Sequence, residues 1–465
     1  MQELIREKRP TLKRVEFKSV PFSLKNLSPI QFLVLGYFLT ILVFTGLLML
    51  PLSSASHQPQ PFIDALFVAC SGISTTGLTP VDVGRYYSVL GQIILMMDFQ
   101  VGGIGYMAIV VWLAKFLKRK LSIRSHLIAT ESLAGARPGY NSHFFRNVIA
   151  YTLFFELTGG LILAVYWARQ FPAGKALYLG FFHSVSAFCT AGFSLFSDSL
   201  ASFQNSILVN SVINIVSLFG AIGFFALAEF AVQTGDRIKK RRMRRLSTHT
   251  RLAVLVTFIV ISLGVVTIYF TESWSPGMGF FQRAMSSLFQ AISASTTDGF
   301  NTMNIAAMSG TSLLLIILLM FIGASPGSTG GGIKTTTFGV LVWATKSQLQ
   351  GQKDCNFFER RITDETIRKS YSIFILFICV MIIDLLIMSR TDKIPFFPLL
   401  FETGSALGNT GLSMGVTSNL SWVGKLLLSI TMFIGRVGPI TIGLALAGRR
   451  NGTPFQYANA EVFIG

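Results

Sequence analysis

Long apolar runs along the chain alternate with short stretches that mix hydroxyls, amides and glycine. One set of runs covers roughly residues 30–50, 147–168, 252–270 and 372–389. A second set covers roughly residues 88–117, 206–231, 312–345 with an interruption, and 423–447. As helices these runs are long enough to cross a hydrocarbon core of about 30 Å. Between the two runs of each pair lies a shorter apolar stretch, such as PFIDALFVACSG or FFQRAMSSLFQAIS. At about 10–14 residues such a stretch is too short to span, so it is expected to enter the membrane and turn back. A non-helical turn at that depth is tolerated only where protein buries it or where it lines a water-filled cavity.

The short stretches share a spacing. Phe67, Ser71 and Gly77 form F-x3-S-x5-G, as do Phe182, Ser186 and Gly192, Phe289, Ser293 and Gly299, and Phe401, Ser405 and Gly411. Leu78, Phe193, Phe300 and Leu412 follow the glycines, which are 115, 107 and 112 residues apart. A fifth match at Phe321, Ser325 and Gly331 breaks the spacing and is followed by Gly332, as one chance match in a chain with 42 Phe and 42 Gly would be. Four regularly spaced matches mark an internal repeat.

The expected fold is therefore an all-α polytopic membrane protein of four tandem repeats. Each repeat is an outer helix, a short re-entrant pore helix, a polar loop and an inner helix. Two spans per repeat give eight full spans and return the chain to its starting side. All four repeats then share one orientation, giving parallel pseudo-fourfold symmetry unlike the inverted repeats of many secondary transporters. The boundaries fall at 1–29 for an amino-terminal segment, then 30–143, 144–248, 249–366 and 367–465, the last with a carboxyl-terminal segment.

Composition agrees. Of 465 residues, 51% are hydrophobic and only 13% charged, against about 25% charged in a soluble domain. The net charge of +18 would suit nucleic acid or an anionic membrane surface, and position separates the two. Of 39 Lys and Arg, seven lie in 1–29, seven in 115–146, eight in 237–251, six in 346–369 and two at 449–450, while the intervening loops hold seven and the inner runs hold Lys334 and Arg436. This is the positive-inside pattern, and it puts both termini in the cytoplasm. RIKKRRMRRLS (237–247) becomes a cytoplasmic loop facing lipid or a partner, and nucleic-acid binding does not fit such a distribution. The first apolar run starts near Ile30 and has the length of a span, so no cleaved signal peptide is expected. Cys70, Cys189, Cys355 and Cys379 are scattered, and the five histidines form no ligand-spaced cluster, which argues against disulfides and metals. With no GxSxG elbow and no convincing carboxylate pair, an enzyme fits poorly.

Four equivalent loops around one axis can put backbone carbonyls on a ring, and such carbonyls can replace the water around a cation. Glycine accepts positive φ without a Cβ clash and lets the carbonyls turn inward. A re-entrant helix descending from outside also aims its carbonyl end, with partial negative charge, at the centre. A neutral ring suits a dehydrated monovalent cation better than a strongly hydrated divalent one. Asp298, beside Gly299, either concentrates cations at the mouth or braces its loop by local hydrogen bonds.

The loops ISTTGLT (73–79), FCTAGFS (188–194), STTDGFN (295–301) and GNTGLSM (408–414) resemble the filters of the Trk/Ktr/HKT superfamily of cation transporters. The resemblance covers about residues 30–465. With no helix pair before Ile30, and with its EVFIG ending, the chain looks most like the Ktr-type potassium-translocating membrane subunit. Position by position, the resemblance implies that Gly77, Gly192, Gly299 and Gly411 are filter glycines. It implies coordination of potassium by their carbonyls and by those of Thr75, Thr76, Thr190, Ala191, Thr297, Asp298, Asn409 and Thr410. Sodium-preferring relatives typically carry Ser at the first glycine, so Gly77 points to potassium; with one anchor glycine per loop, sodium permeation stays open.

The third inner run reaches GASPGSTGGGIKTTTFG (323–339), where the glycines and Pro326 cannot continue a regular helix. Its polarity suggests exposure to a cavity. A P-loop does not fit, because Ile333 stands between Gly332 and Lys334 and a membrane run precedes it. The resemblance implies an intramembrane gating loop beneath the filter, shaped by Gly327, Gly330, Gly331 and Gly332 and contacted by Arg436 of FIGRVGPIT. A buried membrane cation is costly and usually functional. Loop carbonyls could satisfy the guanidinium, whose charge would hinder cation passage; the alternative is an ion pair with Glu402 or Asp384. Lys334 either joins the gate or snorkels to the cytoplasmic side. Asp98, Glu156, Glu229 and Asp384 read as braces between helices, and GFFALAE and QVGGIGYM as close-packing stretches.

These readings give passive, channel-like potassium uptake across a bacterial inner membrane, with a secondary transporter coupling potassium or sodium to another ion as the alternative. The resemblance implies a homodimer and a separate cytosolic nucleotide-binding regulatory ring. The basic loops at 237–251 and 346–369 either face that ring or only set topology. No cofactor is expected in the chain itself: potassium is the transported ion, sodium a candidate activator, and nucleotide acts only through the partner. Gly77→Ser is expected to weaken discrimination against sodium. Rubidium and sodium permeability measured side by side check this, and an unchanged ratio counts against the filter assignment.

Overall fold

The computed structural model describes residues 28–105, 142–240 and 245–447. The amino-terminal segment through residue 27, the basic cluster from 115 to 141, residues 241–244 and the EVFIG ending lie outside the described residues. The main helices run in order as α1 (Pro29–Leu48), α2 (Phe62–Ile73), α3 (Val89–Ile104), α4 (Ser142–Trp167), α5 (Ala173–Phe188), α6 (Ile207–Ala221) and α7 (Phe224–Ile238). They continue as α8 (Thr248–Thr271), α9 (Phe280–Thr296), α10 (Gly310–Phe321), α11 (Thr335–Leu349), α12 (Asp364–Thr391), α13 (Phe396–Gly408), α14 (Trp422–Val437) and α15 (Pro439–Ala447). Asn356–Phe357 and Arg360–Arg361 pair as a small hairpin between α11 and α12.

The helix starts follow from local chemistry. Pro61, Pro172 and Pro395 stand at the N-caps of the short helices α2, α5 and α13. Ser88, Ser206, Ser309 and Ser421 cap α3, α6, α10 and α14, each hydroxyl accepting from a backbone N–H three residues on. Such a cap satisfies one of the orphan donors of a first turn. Phe67, Phe182, Phe289 and Phe401, the first residues of the repeated motif, are all fully buried. They fix each short helix into the core.

Helices α1, α4, α8 and α12 contain segments long and apolar enough to cross a membrane, and α6–α7 and α14–α15 do so as pairs bent by 104° and 95°. Here the structure departs from the expected continuous inner helices. The break foreseen only in the third repeat recurs in the second and fourth, and in the first repeat α3 ends at the corresponding glycine, the rest of that run lying outside the described residues. Helix α3 ends at Gly105 (φ +84°), α6 at Gly223 (φ +94°) and α14 at Gly438 (φ +91°), while α10 ends at Phe321, before Gly323. The local sequences are GGIG (102–105), GAIG (220–223), MFIG (320–323) and GRVG (435–438).

The two glycines of this G-x-[IV]-G pattern do different things. A Cβ on Gly102, Gly220 or Gly435 would collide with the carbonyl oxygen of Ile73, Phe188 or Leu407. Each of those carbonyls lies four residues before a motif glycine. The first glycine therefore lets an inner helix close on the end of a short helix, as small residues do between membrane helices. The second, at Gly105, Gly223 and Gly438, takes a positive φ that a side chain resists, and the helix path breaks there.

Gly435→Ala, although alanine favours a helix, is expected to lower stability by about 1–3 kcal/mol through overpacking. Gly443→Ala in α15, where a Cβ would meet nothing within 4 Å, should be neutral or gain up to about 1 kcal/mol. Thermal unfolding in detergent compares the two, and equal responses would show that the Leu407 contact is not limiting.

Candidate functional site

Each short helix ends in the same turn. The N–H of Thr76, Ala191, Asp298 and Thr410 reaches back to the carbonyl of Ser71, Ser186, Ser293 and Ser405, at 2.7, 2.8, 2.9 and 2.9 Å. This six-to-one bond is the mark of a Schellman motif, which needs a left-handed residue just before the donor. Those residues are Thr75, Thr190, Thr297 and Asn409, with φ of 53°, 50°, 59° and 53°. In three of the four turns the motif serine hydroxyl adds a bond, while Ser186 Oγ is buried without a partner. The hydroxyls of Ser71 and Ser405 accept from the N–H of Gly77 and Gly411 at 3.0 Å, and that of Ser293 donates to Phe300 O at 2.6 Å.

The four glycines then close a cycle. A Cβ on Gly77 would strike Ala191 O, one on Gly192 would strike Asp298 O, one on Gly299 would strike Thr410 O, and one on Gly411 would strike Thr76 O. Each loop thus packs its glycine against the carbonyl that precedes the glycine of the next loop. All four glycines open on one side into a single cavity of about 660 Å³, which Asp82 and Asp198 also line. The carboxylate of Asp298 is buried, with Oδ1 lacking a hydrogen-bond partner.

The opposite side of the ring is covered by residues 323–334. Thr75 Oγ1 donates to Thr329 O at 3.0 Å, Thr190 Oγ1 lies 3.2 Å from Thr329 Oγ1, and the Gly331 N–H donates to Thr297 Oγ1 at 3.2 Å. Gly327 O accepts from the Phe224 N–H at 2.8 Å. Lys334 Nζ donates to Gly330 O at 2.7 Å, so it turns back onto the strap. A Cβ on Gly331 would run into the Asn409 side chain, and Gly332 takes φ +72° against Gly323. Arg436 donates to Thr329 O and to Gly102 O, with Gly103 O at 3.4 Å.

The structure gives Arg436 carbonyl partners, not the carboxylates weighed as an alternative. Glu402 instead accepts from Ser413 Oγ and, at 3.1 Å, from Thr417 Oγ1, and Asp384 accepts from Thr431 Oγ1 at 2.6 Å. Glu156 accepts from Gln100 at 3.1 Å and Glu229 from the Ser247 N–H at 3.0 Å. Asp98 differs from these four, its two carboxylate oxygens being buried without a partner. Among the described residues no group of His, Cys, Asp or Glu could hold a metal ion.

Three features escaped sequence reasoning. Thr329 was hidden inside a stretch read for its glycines. Lys425 pairs with Asp64 at 2.6 Å, tying α14 to α2, and nothing in the spacing of two residues 361 positions apart signals it. The residue after each motif phenylalanine, Val68, His183, Gln290 or Glu402, is buried beneath its loop. His183 Nε2 lies 3.1 Å from Ser194 Oγ, and Glu402 reaches Ser413; these two hydroxyls sit two residues past a motif glycine. The four-way alignment was the available signal.

Comparison with known proteins shows what the whole chain is similar to. Residues 28–450 match the TrkH family, described as a cation transport protein. The chain is 34% identical to the Ktr system potassium uptake protein B of Bacillus subtilis, covering 94% of this chain and 97% of that one. It is 29% identical to the potassium/sodium uptake protein NtpJ of Enterococcus hirae, covering 95% and 97%. A crystal structure of the potassium transporter TrkH from Vibrio parahaemolyticus superposes with a TM-score of 0.69 at 18% identity, over 93% of this chain and 86% of that one.

Glu402→Ala would strand the hydroxyls of Ser413 and Thr417. It is expected to lower stability by about 1–3 kcal/mol, read as thermal unfolding in detergent, and an unchanged midpoint would show that water replaces the carboxylate.

Proposed function

The chain belongs to the TrkH family of cation transport proteins, which are transporters rather than enzymes, and from that membership we propose that it carries potassium into the cell by passive conduction through the ring at Gly77, Gly192, Gly299 and Gly411. The observation that carries this reading is the closed cycle of glycine-to-carbonyl contacts. A ring of that kind presents neutral oxygens to a cation and excludes side chains from its wall, the arrangement that can replace a hydration shell. On this reading the coordinating carbonyls are those of Thr75, Thr76, Thr190, Ala191, Thr297, Asp298, Asn409, Thr410 and the four glycines. The repeats run over 30–143, 144–248, 249–366 and 367–465, with eight spans around a pseudo-fourfold axis and both termini in the cytoplasm.

The strap at 323–334 is the gate. It lies across one end of the ring, it is held by Arg436 through Thr329 O, and Lys334 folds back onto its carbonyls. Two cations at this place oppose the passage of a third. The name of the Enterococcus hirae relative, a potassium/sodium uptake protein, supports sodium as a second ion, whether permeant or activating. A homodimer served by a cytosolic nucleotide-binding ring completes the proposal, with nucleotide acting through that partner.

The deciding experiment is tracer rubidium flux into potassium-loaded proteoliposomes, with sodium in competition, for the natural chain and for one lacking Gly330–Gly332. Uncoupled rubidium flux that rises on shortening the strap is expected. Strictly coupled exchange would move the chain to the ion-coupled class, and unchanged flux in the folded deletion variant would remove the strap as the barrier.

A further inference from the structure

The left-handed residue of a Schellman turn is usually glycine, because a Cβ strains that backbone and a β-branched one strains it most. Here three threonines and an asparagine hold the position in all four loops. Strain of that kind persists where the surroundings over-determine it, and it points to a use for the side chain. In all four cases the side chain reaches the same three residues of the strap, 329–331. Thr75 and Thr190 meet Thr329, Thr297 meets Gly331, and Asn409 packs against Gly331.

Thr329 is tied on every polar atom it has. Its N–H donates to Gly220 O at 3.2 Å. Its Oγ1 donates to Phe188 O at 3.0 Å, leaving that oxygen free to accept from Thr190. Its carbonyl accepts from both Thr75 and Arg436. Four separate segments of the chain thus converge on one fully buried side chain and its peptide.

We propose that Thr329 is the bolt of the strap, and that the strained Thr75, Thr190 and Thr297 are positioning residues whose hydroxyls, rather than their carbonyls, set how often the strap leaves the ring. This rests on the gate reading above and adds the residues that hold the gate shut. The keepers are built to let go. Thr75 Oγ1 also lies 2.7 Å from Ser74 O, and Thr190 Oγ1 2.7 Å from Cys189 O. Each hydroxyl has a single proton, so when the strap departs the donor turns to its neighbouring carbonyl and is not left unpaired. At Thr75 and Thr190 release therefore strands no hydroxyl of the ring, which lowers the cost of the strap's departure at those two contacts. Glycine at these positions would relieve the turn and lose the latch.

The test uses the full chain in proteoliposomes without any partner, reading rubidium flux and the rubidium-to-sodium permeability ratio. Thr329→Val and Thr190→Val keep shape and remove one hydroxyl each. With the strap closed most of the time, loss of one net hydrogen bond should raise flux about fivefold. The double variant should match Thr329→Val, because Thr190→Val breaks only a contact that Thr329→Val also removes, while Thr329→Val additionally loses its bond to Phe188 O. Thr329→Ser keeps the hydroxyl and should fall well below Thr329→Val. Removal of Gly330–Gly332 serves as reference. If that deletion raises flux while the valine variants do not, the bolt is overturned and the gate reading stands. If neither raises flux, the gate reading fails and takes the bolt with it. A changed permeability ratio at constant flux for Thr329→Val would assign the hydroxyl to the ion path and overturn the latch.

Discussion

Backbone groups at membrane depth have no water to fall back on, and an unpaired one costs several kcal/mol. Everything at the centre of this protein answers that constraint. Four chain reversals are each closed by a bond from the residue before the glycine to the carbonyl of the motif serine. The carbonyls left over face a neighbouring glycine or the ring. The strap in turn is bonded to α6 and α7 through Gly220, Ala221 and Phe224, so the irregular segment is nowhere given over to lipid. On the proposed function, ion coordination would use the same oxygens that the membrane otherwise penalises.

The sequence made the periodic part of this legible. F-x3-S-x5-G located the four loops, since Phe, Ser and Gly each meet a need that no other residue type meets as well: bulk in the core, a hydroxyl for the turn, and no Cβ at the contact. The second pattern, G-x-[IV]-G, was equally present and passed unread. Its spacing from the motif glycine varies, with Gly105, Gly223, Gly323 and Gly438 standing 28, 31, 24 and 27 residues on. Apolar runs that continued past those glycines looked like single helices because hydropathy is blind to φ. Long-range polar contacts were illegible for a different reason. Asp64 and Lys425, or Thr75 and Thr329, are brought together only by the packing of distant elements, and residue type alone does not name a partner.

Pseudo-equivalence also has limits that matter for the site. Beneath the four loops stand Val68, His183, Gln290 and Glu402; His183 braces its loop by a ring nitrogen and Glu402 by a carboxylate, while the Gln290 amide is buried without a partner. The third inner segment departs most, with Met320 where the other repeats have Gly102, Gly220 and Gly435. Its strap leaves the helical path and crosses beneath the ring, and Arg436, which meets it, occupies the variable position of the fourth G-x-[IV]-G. The asymmetry that shapes the strap is thus written into positions that the repeat leaves free.

The cyclic contact has a consequence for the order in which the molecule is made. Each glycine rests on a loop that lies later in the chain, except Gly411, which rests on Thr76 at the beginning. While the last hundred residues are still being synthesised, Gly299 has no Thr410 to pack on and the Thr76 carbonyl has no covering glycine. The three completed loops form an open arc with two raw ends. Closure waits for the final quarter of the chain, so a nascent chain stalled before residue 411 holds most of the helices but no ring. A truncated product of this kind cannot be a leaky pore of smaller diameter; it is an unfinished arch.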